Sequence, residues 1–195
     1  MNNILNKNLF LIKEHVGIFK AANAYNVYDP GTNELLMECR EPNLGFFTKL
    51  FRFTKYKRMT PFEVVINDKL GRPVLRLSKN VSYFTSTVKV YDDNEIHIGS
   101  FKQKFFSLKG KFDVLDQQEQ SLCKVEGKWI SFEYTFSDAS GKLGLITKKW
   151  MGLGKELFTS ADNYIINIEP TVASNDKIRQ MILAASITVD MLYHE

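Results

Sequence analysis

Ile178-Arg-Gln-Met-Ile-Leu-Ala-Ala-Ser-Ile-Thr-Val-Asp-Met-Leu192 decides how this chain folds, because ten of its fifteen residues are apolar and Ser174-Asn175-Asp176 stands before it as a helix cap. The pattern predicts a helix within residues 174–195. With about 100° between successive residues, Arg179, Ser186 and Asp190 fall within about 40° of one another, Thr188 lies opposite and Gln180 lies to one side. A helix that is apolar nearly all round has to be buried. It is too short for a bilayer, since fifteen residues at about 1.5 Å each reach about 22 Å against about 30 Å of hydrocarbon. Arg179 and Asp190 would also have to be hidden there. What remains is a helix threaded through a β-barrel of inward-facing aromatic and aliphatic side chains.

The preceding chain supplies strands for such a barrel. Ala24–Tyr28 and Leu35–Arg40 flank the turn Asp29-Pro30-Gly31-Thr32-Asn33, a hairpin signal. In the second of these strands Leu35, Met37 and Cys39 are read on the inner face and Leu36, Glu38 and Arg40 on the outer, which makes Cys39 a buried structural thiol. Similar units follow: 62–67 and 74–77 around Asp68-Lys69-Leu70-Gly71, then 87–91 and 96–102 around Asp92-Asp93-Asn94. Further strands are read over 111–115, 122–126, 129–136 and 143–148, with Asp138-Ala139-Ser140-Gly141 as the last clear turn. Along 130–136, Ile130, Phe132, Tyr134 and Phe136 share one face, with Ser131, Glu133 and Thr135 on the other. No strands alternate with long helices, which excludes a doubly wound parallel sheet. Closure into an antiparallel barrel removes the exposed edges that so many strands would leave. Residues 1–195 form a single domain, in which 1–21 is either an N-terminal extension or a first strand.

Composition agrees with one globular core: 44% of the 195 residues are hydrophobic, 25% are charged, and the 13% aromatic share favours pleated, half-buried surfaces. Cys39 and Cys123 cannot make a disulfide framework. Met1–Asn8 is polar and Leu9–Ile12 is too short an apolar run for a signal peptide. The expected location is therefore the cytoplasm, peripheral to a membrane surface. The net charge of +4 is local in origin, since Lys49, Arg52, Lys55, Lys57 and Arg58 lie within residues 43–60 without an acid and leave the rest of the chain at −1. Phe46, Phe47, Phe51, Phe53 and Tyr56 are interleaved with them.

The C-terminal third carries a more specific signal: Gly144-Leu-Ile-Thr-Lys-Lys-Trp150-Met-Gly152, Glu156-Leu-Phe158-Thr159, Ala161-Asp162-Asn163-Tyr164 and Ile187-Thr-Val-Asp190-Met-Leu-Tyr193-His-Glu195. In order and spacing it resembles the phospholipid scramblases and the LURP-one-related proteins, members of the tubby C-terminal-like superfamily. Weaker upstream matches are Tyr25-Asn-Val-Tyr-Asp29, Pro61-Phe-Glu-Val64 and Ile98-Gly99. The resemblance implies a mainly β fold, a closed antiparallel tubby-like barrel of about twelve strands around a buried hydrophobic C-terminal helix. Trp150 is then a core residue packed on the helix, and Asp190, which opposes the dipole at a helix C-terminus, bonds a barrel group. The family's calcium-binding acidic segment aligns with residues 160–171, where Asp162 alone of the expected carboxylates stands, so no metal site is expected from it. The family's palmitoylation cysteines have no counterpart near 46–57.

Other chemistry finds no residues to carry it. His15, His97 and His194 are far apart, Gly152-Leu153-Gly154 lacks a third glycine, and no nucleophile elbow or phosphate loop occurs. No catalytic residue and no cofactor is assigned. The expected function is a non-enzymatic, scramblase-like phospholipid or membrane-surface binding module. Its lipid- or anion-binding residues are Lys49, Arg52, Lys55, Lys57, Arg58 and Phe51, which pair cations for phosphate with aromatics for the acyl boundary. The alternatives are a protein-interaction scaffold on the barrel surface, with a protein partner, and an enzyme with a pocket at a barrel mouth. Nucleic acid is not the expected partner, because no RNA-binding aromatic strand motif accompanies the basic residues.

Overall fold

The helix α1 (Lys177–Tyr193) lies inside a ring of strands, with residues 181–190 all buried. This computed structural model describes residues 3–15, 24–42, 59–81, 85–104, 111–128, 132–148, 163–173 and 177–193. Twelve strands are found among them: β1 (Leu9–Glu14), β2 (Ala24–Tyr28), β3 (Leu35–Arg40), β4 (Phe62–Asp68), β5 (Pro73–Lys79) and β6 (Thr85–Tyr91), followed by β7 (His97–Lys104), β8 (Phe112–Leu115), β9 (Ser121–Lys128), β10 (Glu133–Asp138), β11 (Gly141–Thr147) and β12 (Asn163–Ile168). Each pairs antiparallel with its neighbours in sequence, and β1 pairs with β12 to close the barrel. Successive connections therefore leave alternate ends of the barrel, and α1 begins at the end where β12 finishes.

At that end the hairpins are tight, and five of them turn on an aspartate. Asp29, Asp68, Asp92, Asp116 and Asp138 each accept the backbone N–H two residues ahead, at 2.8–2.9 Å, which satisfies the turn and sets its register. The connection between β3 and β4, residues 41–61, leaves from the other end.

The stretch 1–21 does contain a first strand. β1 sets Phe10 against Ile166 and Ile12 against Tyr164 of β12, and Ile12 against Val27 of β2. β12 shows no alternation in sequence because it is buried on both faces: Tyr164, Ile166 and Ile168 join the core, while Ile165 and its register partner Leu11 are fully buried on the opposite side. One face assignment is corrected. Leu36 is 4% exposed and packs in the core, because the register shifts between Val27 and Tyr28 and leaves Leu36 as the extra residue of a bulge. In the strand read over 129–136, residues 129–131 lie outside the described residues. β10 starts only at Glu133, after Phe132 turns the chain with a φ of 47°. Phe132, Tyr134 and Phe136 are buried on the face expected. The cap 174–176 also lies outside the described residues.

Barrel and helix approach closely at Gly99 of β7. A Cβ there would stand 2.4 Å from the Leu115 carbonyl oxygen and 2.9 Å from Cε of Met181. Two hydroxyls on α1 are bonded within the helix itself: Ser186 Oγ donates to the Leu183 carbonyl at 2.6 Å and Thr188 Oγ1 to that of Ala184 at 3.0 Å.

Leu183, 1% exposed at the middle of α1, tests this arrangement. Leu183→Asp places an unpaired carboxylate among apolar groups and is expected to cost about 4–5 kcal/mol, enough to unfold the domain. Circular dichroism and a cooperative melt check it; a folded variant of near wild-type stability would disprove the central helix.

Candidate functional site

Two charged residues of α1, one near each end, both oppose the helix dipole: Arg179 near the positive N-terminus and Asp190 near the negative C-terminus. Arg179 is 2% exposed. Its Nε donates to the Leu5 carbonyl at 2.9 Å, Nη1 to that of Val172 at 2.8 Å, and Nη2 to that of Lys7 at 2.6 Å and to Asn8 Oδ1 at 2.7 Å. The guanidinium thus ties the chain before β1 and the turn after β12 to the start of the helix.

Asp190, 3% exposed, meets the barrel at the opposite end. In β1 the inward series Phe10, Ile12 continues to Glu14, whose register partner is Tyr25 of β2. The Tyr25 hydroxyl donates to the Asp190 carboxyl, which in its protonated form donates to the Glu14 carboxylate. Burial holds the Asp190 carboxyl well above the usual carboxylate range and the Glu14 charge adds to this, against the opposing Tyr25 bond and the Lys148 ammonium. The Tyr25 and Tyr164 hydroxyls are likewise pushed up, first by burial and then by the Asp190 charge. Tyr164 donates to the Ser186 carbonyl at 3.4 Å and packs on Phe132 with ring centroids 4.8 Å apart, while Lys148 Nζ stands 4.7 Å from the centre of the Phe132 ring. With Tyr25, Tyr164 and Asp190 closed off from solvent, this cluster fixes the end of the helix rather than receiving a substrate. The sequence does not single out Glu14, because the apolar Leu11 between Phe10 and Ile12 masks the alternation that places it on the inner face.

Lys49, Arg52, Lys55, Lys57, Arg58, Phe51, Trp150 and Asp162 all lie outside the described residues. Among the described residues no three His, Cys, Asp or Glu side chains are grouped to hold a metal ion. Cys39 and Cys123 are free and buried, and burial pushes both thiols up to about 12. On the outer face of β7–β9, Lys102, Lys111, Asp113, Lys124 and Glu126 edge a depression of about 310 Å³. There Lys111 pairs with Glu126 at 2.7 Å and Lys102 with Glu119 at 3.0 Å, and Asp113 stands in register with both Lys102 and Lys124. These charges balance, so the depression does not select an anion. No helix among the described residues is long and apolar enough to cross a membrane.

A closed antiparallel barrel filled by its own C-terminal helix, with a buried ionisable group anchoring each end of that helix, defines the structural class. A structure of a protein from Arabidopsis thaliana shares the fold at a TM-score of 0.54 and 12% identity, over 93% of this chain and 90% of that one. The chain belongs to the scramblase family, whose model matches residues 2–195. It is 23% identical to altered inheritance rate of mitochondria protein 25 of Saccharomyces cerevisiae over 90% of this chain and 65% of that protein. It is 25% identical to phospholipid scramblase 1 of Mus musculus over 69% of this chain and 45% of that protein, and 24% identical to phospholipid scramblase 2 of Homo sapiens over 71% and 51%. The matched stretches thus span from 45% to 65% of these curated relatives' own lengths.

The Asp190 cluster has a signed pH dependence. A carboxyl whose proton is held more tightly folded than unfolded contributes stability below its unfolded pKa of about 3.9, and loses it as pH rises toward the folded value. Asp190→Asn can keep the bond from Tyr25 and donate to Glu14 without ionising. Its melting temperature is expected to overtake the wild type's increasingly as pH rises from about 4 to neutrality. Parallel melting curves across that range would show that Asp190 does not hold its proton in the folded state.

Proposed function

We propose that this protein is a non-enzymatic module that binds a phospholipid membrane surface through the basic aromatic segment 43–58. The observation that carries this reading is a scramblase-family chain whose barrel bore is filled by its own helix. Family membership, with relatives named phospholipid scramblase, supports a membrane-lipid role. The filled interior supports action at the surface rather than carriage of a lipid inside the barrel, and movement of lipid between leaflets is not part of the proposal. The cations Lys49, Arg52, Lys55, Lys57 and Arg58 supply attraction to phosphate, and Phe51 supplies apolar contact at the acyl boundary.

Near an anionic leaflet each cation contributes about 1 kcal/mol, an attraction confined to a Debye length of about 8 Å at physiological salt. Co-sedimentation with phosphatidylserine-containing vesicles is therefore expected to be strong at low salt and to fall steeply as salt is raised. Replacing the five cations by Gln should abolish it while leaving the far-UV spectrum and melt unchanged, since charges at a surface carry little stability. Phe51→Ser should weaken binding at every salt concentration. A wild-type protein that ignores anionic vesicles at low salt would refute the lipid reading and favour a protein-interaction scaffold.

A further inference from the structure

One row of register partners crosses the outer wall of five strands: Thr87 of β6, Lys102 of β7, Asp113 of β8, Lys124 of β9 and Ser137 of β10. Partners across an antiparallel pair point to the same face about 5 Å apart. Lys111 and Glu126 stand two positions along that face from Asp113 and Lys124. Together with Lys102 these charged residues edge the depression of about 310 Å³, and Phe112 and Val125 complete its lining. Three ammonium groups thus meet two carboxylates, and two of the ammonium groups are engaged. Lys111 donates to Glu126 at 2.7 Å, and Lys102 donates at 3.0 Å to Glu119, which is not part of the lining. The bond from Lys111 and its charge hold the Glu126 carboxyl below its usual range. Asp113 and Lys124 remain, both exposed, and neither is in an ion pair among the described residues.

We infer that this depression binds a small zwitterion, a phosphate ester bearing a primary ammonium two carbons away, with its ammonium on the Asp113 carboxylate and its phosphate on the Lys124 ammonium. Either charge alone is a poor match. An anion on Lys124 is repelled by Asp113 about 5 Å away, and a cation on Asp113 is repelled by Lys124 across the same gap. A molecule carrying both charges turns each repulsion into an attraction, and a two-carbon spacer sets its nitrogen and phosphorus about one strand spacing apart. Phosphate suits the site better than carboxylate, because Lys102 and Lys111 each engage one carboxylate and keep N–H donors for further oxygens. A primary ammonium donates hydrogen bonds to Asp113, which a quaternary one cannot. The volume stands at the lower limit of ligand clefts, about 300 Å³, and admits a molecule of this size. The site draws on nothing in 43–58, so it stands apart from the membrane-surface reading.

Phosphoethanolamine added to isotope-labelled protein is expected to shift the backbone amide signals of 112–114 and 123–126 saturably, whereas inorganic phosphate or ethanolamine binds at least about tenfold more weakly. Asp113→Asn and Lys124→Gln alter exposed side chains, so each should leave the thermal melt unchanged and weaken phosphoethanolamine binding by about tenfold or more. Vesicles of phosphatidylcholine, with and without phosphatidylethanolamine, separate the two sources of such an ester, since neither carries the net charge that 43–58 would need. Co-sedimentation that requires both phosphatidylethanolamine and Asp113 assigns the ester to a lipid headgroup; soluble binding without it assigns a free phosphate ester. Unshifted signals with phosphoethanolamine, equal binding of inorganic phosphate, or undiminished binding in both variants would overturn the site and leave the membrane-surface reading untouched.

Discussion

The fold depends on one mutual constraint: α1 is too apolar to face water, and the bore of a twelve-stranded barrel is too wide to be left empty. Each resolves the other. An apolar helix in the bore gives every inward strand residue a packing partner, and it removes from water side chains that would otherwise drive aggregation. Small residues set how closely the two can approach. Ala184 and Ala185 are fully buried at mid-helix, and at Gly99 the backbone of β7 comes so near β8 and Met181 that no side chain fits.

An apolar helix in an apolar bore has little to fix its position along the axis, and the two charged residues supply that. Both stand where the helix dipole disfavours them, so neither is accounted for by the helix alone. Arg179 is held by carbonyls of the segment preceding β1 and of the turn after β12, the two strands whose pairing closes the barrel. Asp190 is held by Glu14 and Tyr25, across the next seam between β1 and β2. Closure and helix placement are therefore one event, centred on β1. A buried charge left without these partners would cost several kcal/mol, which makes a displaced helix unfavourable as well as loosely packed.

Most of the architecture was legible in sequence because antiparallel hairpins with tight turns announce themselves locally. Four of the five aspartate turns, all but the one at Asp116, and the alternation of strands such as β10 needed no knowledge of the rest of the chain. β1 and β12 escaped for a physical reason: Leu11 and Ile165 are buried on the face opposite the core, so the period-two signal is erased where both faces are covered. Leu36 escaped because a bulge is a property of the pair β2–β3, not of either strand. Of the candidate site, Asp190 was legible as an anomaly on an apolar helix, whereas its partner Glu14 depended on recognising β1.

The acidity of the hairpin end grows out of the same turn chemistry. An aspartate that accepts backbone N–H groups just ahead of it stabilises a short hairpin, and five hairpins built this way at one end bring five carboxylates to that rim before function enters. Glu34, Asp93 and Glu95 add to them without any turn-forming hydrogen bond of this kind, so acidity there exceeds what the turns require. A closed barrel has no edge strand to offer a partner, and here its bore is already occupied. The two rims and the outer wall are what remain for recognition, and across the depression on the wall at β7–β9 opposite charges cancel.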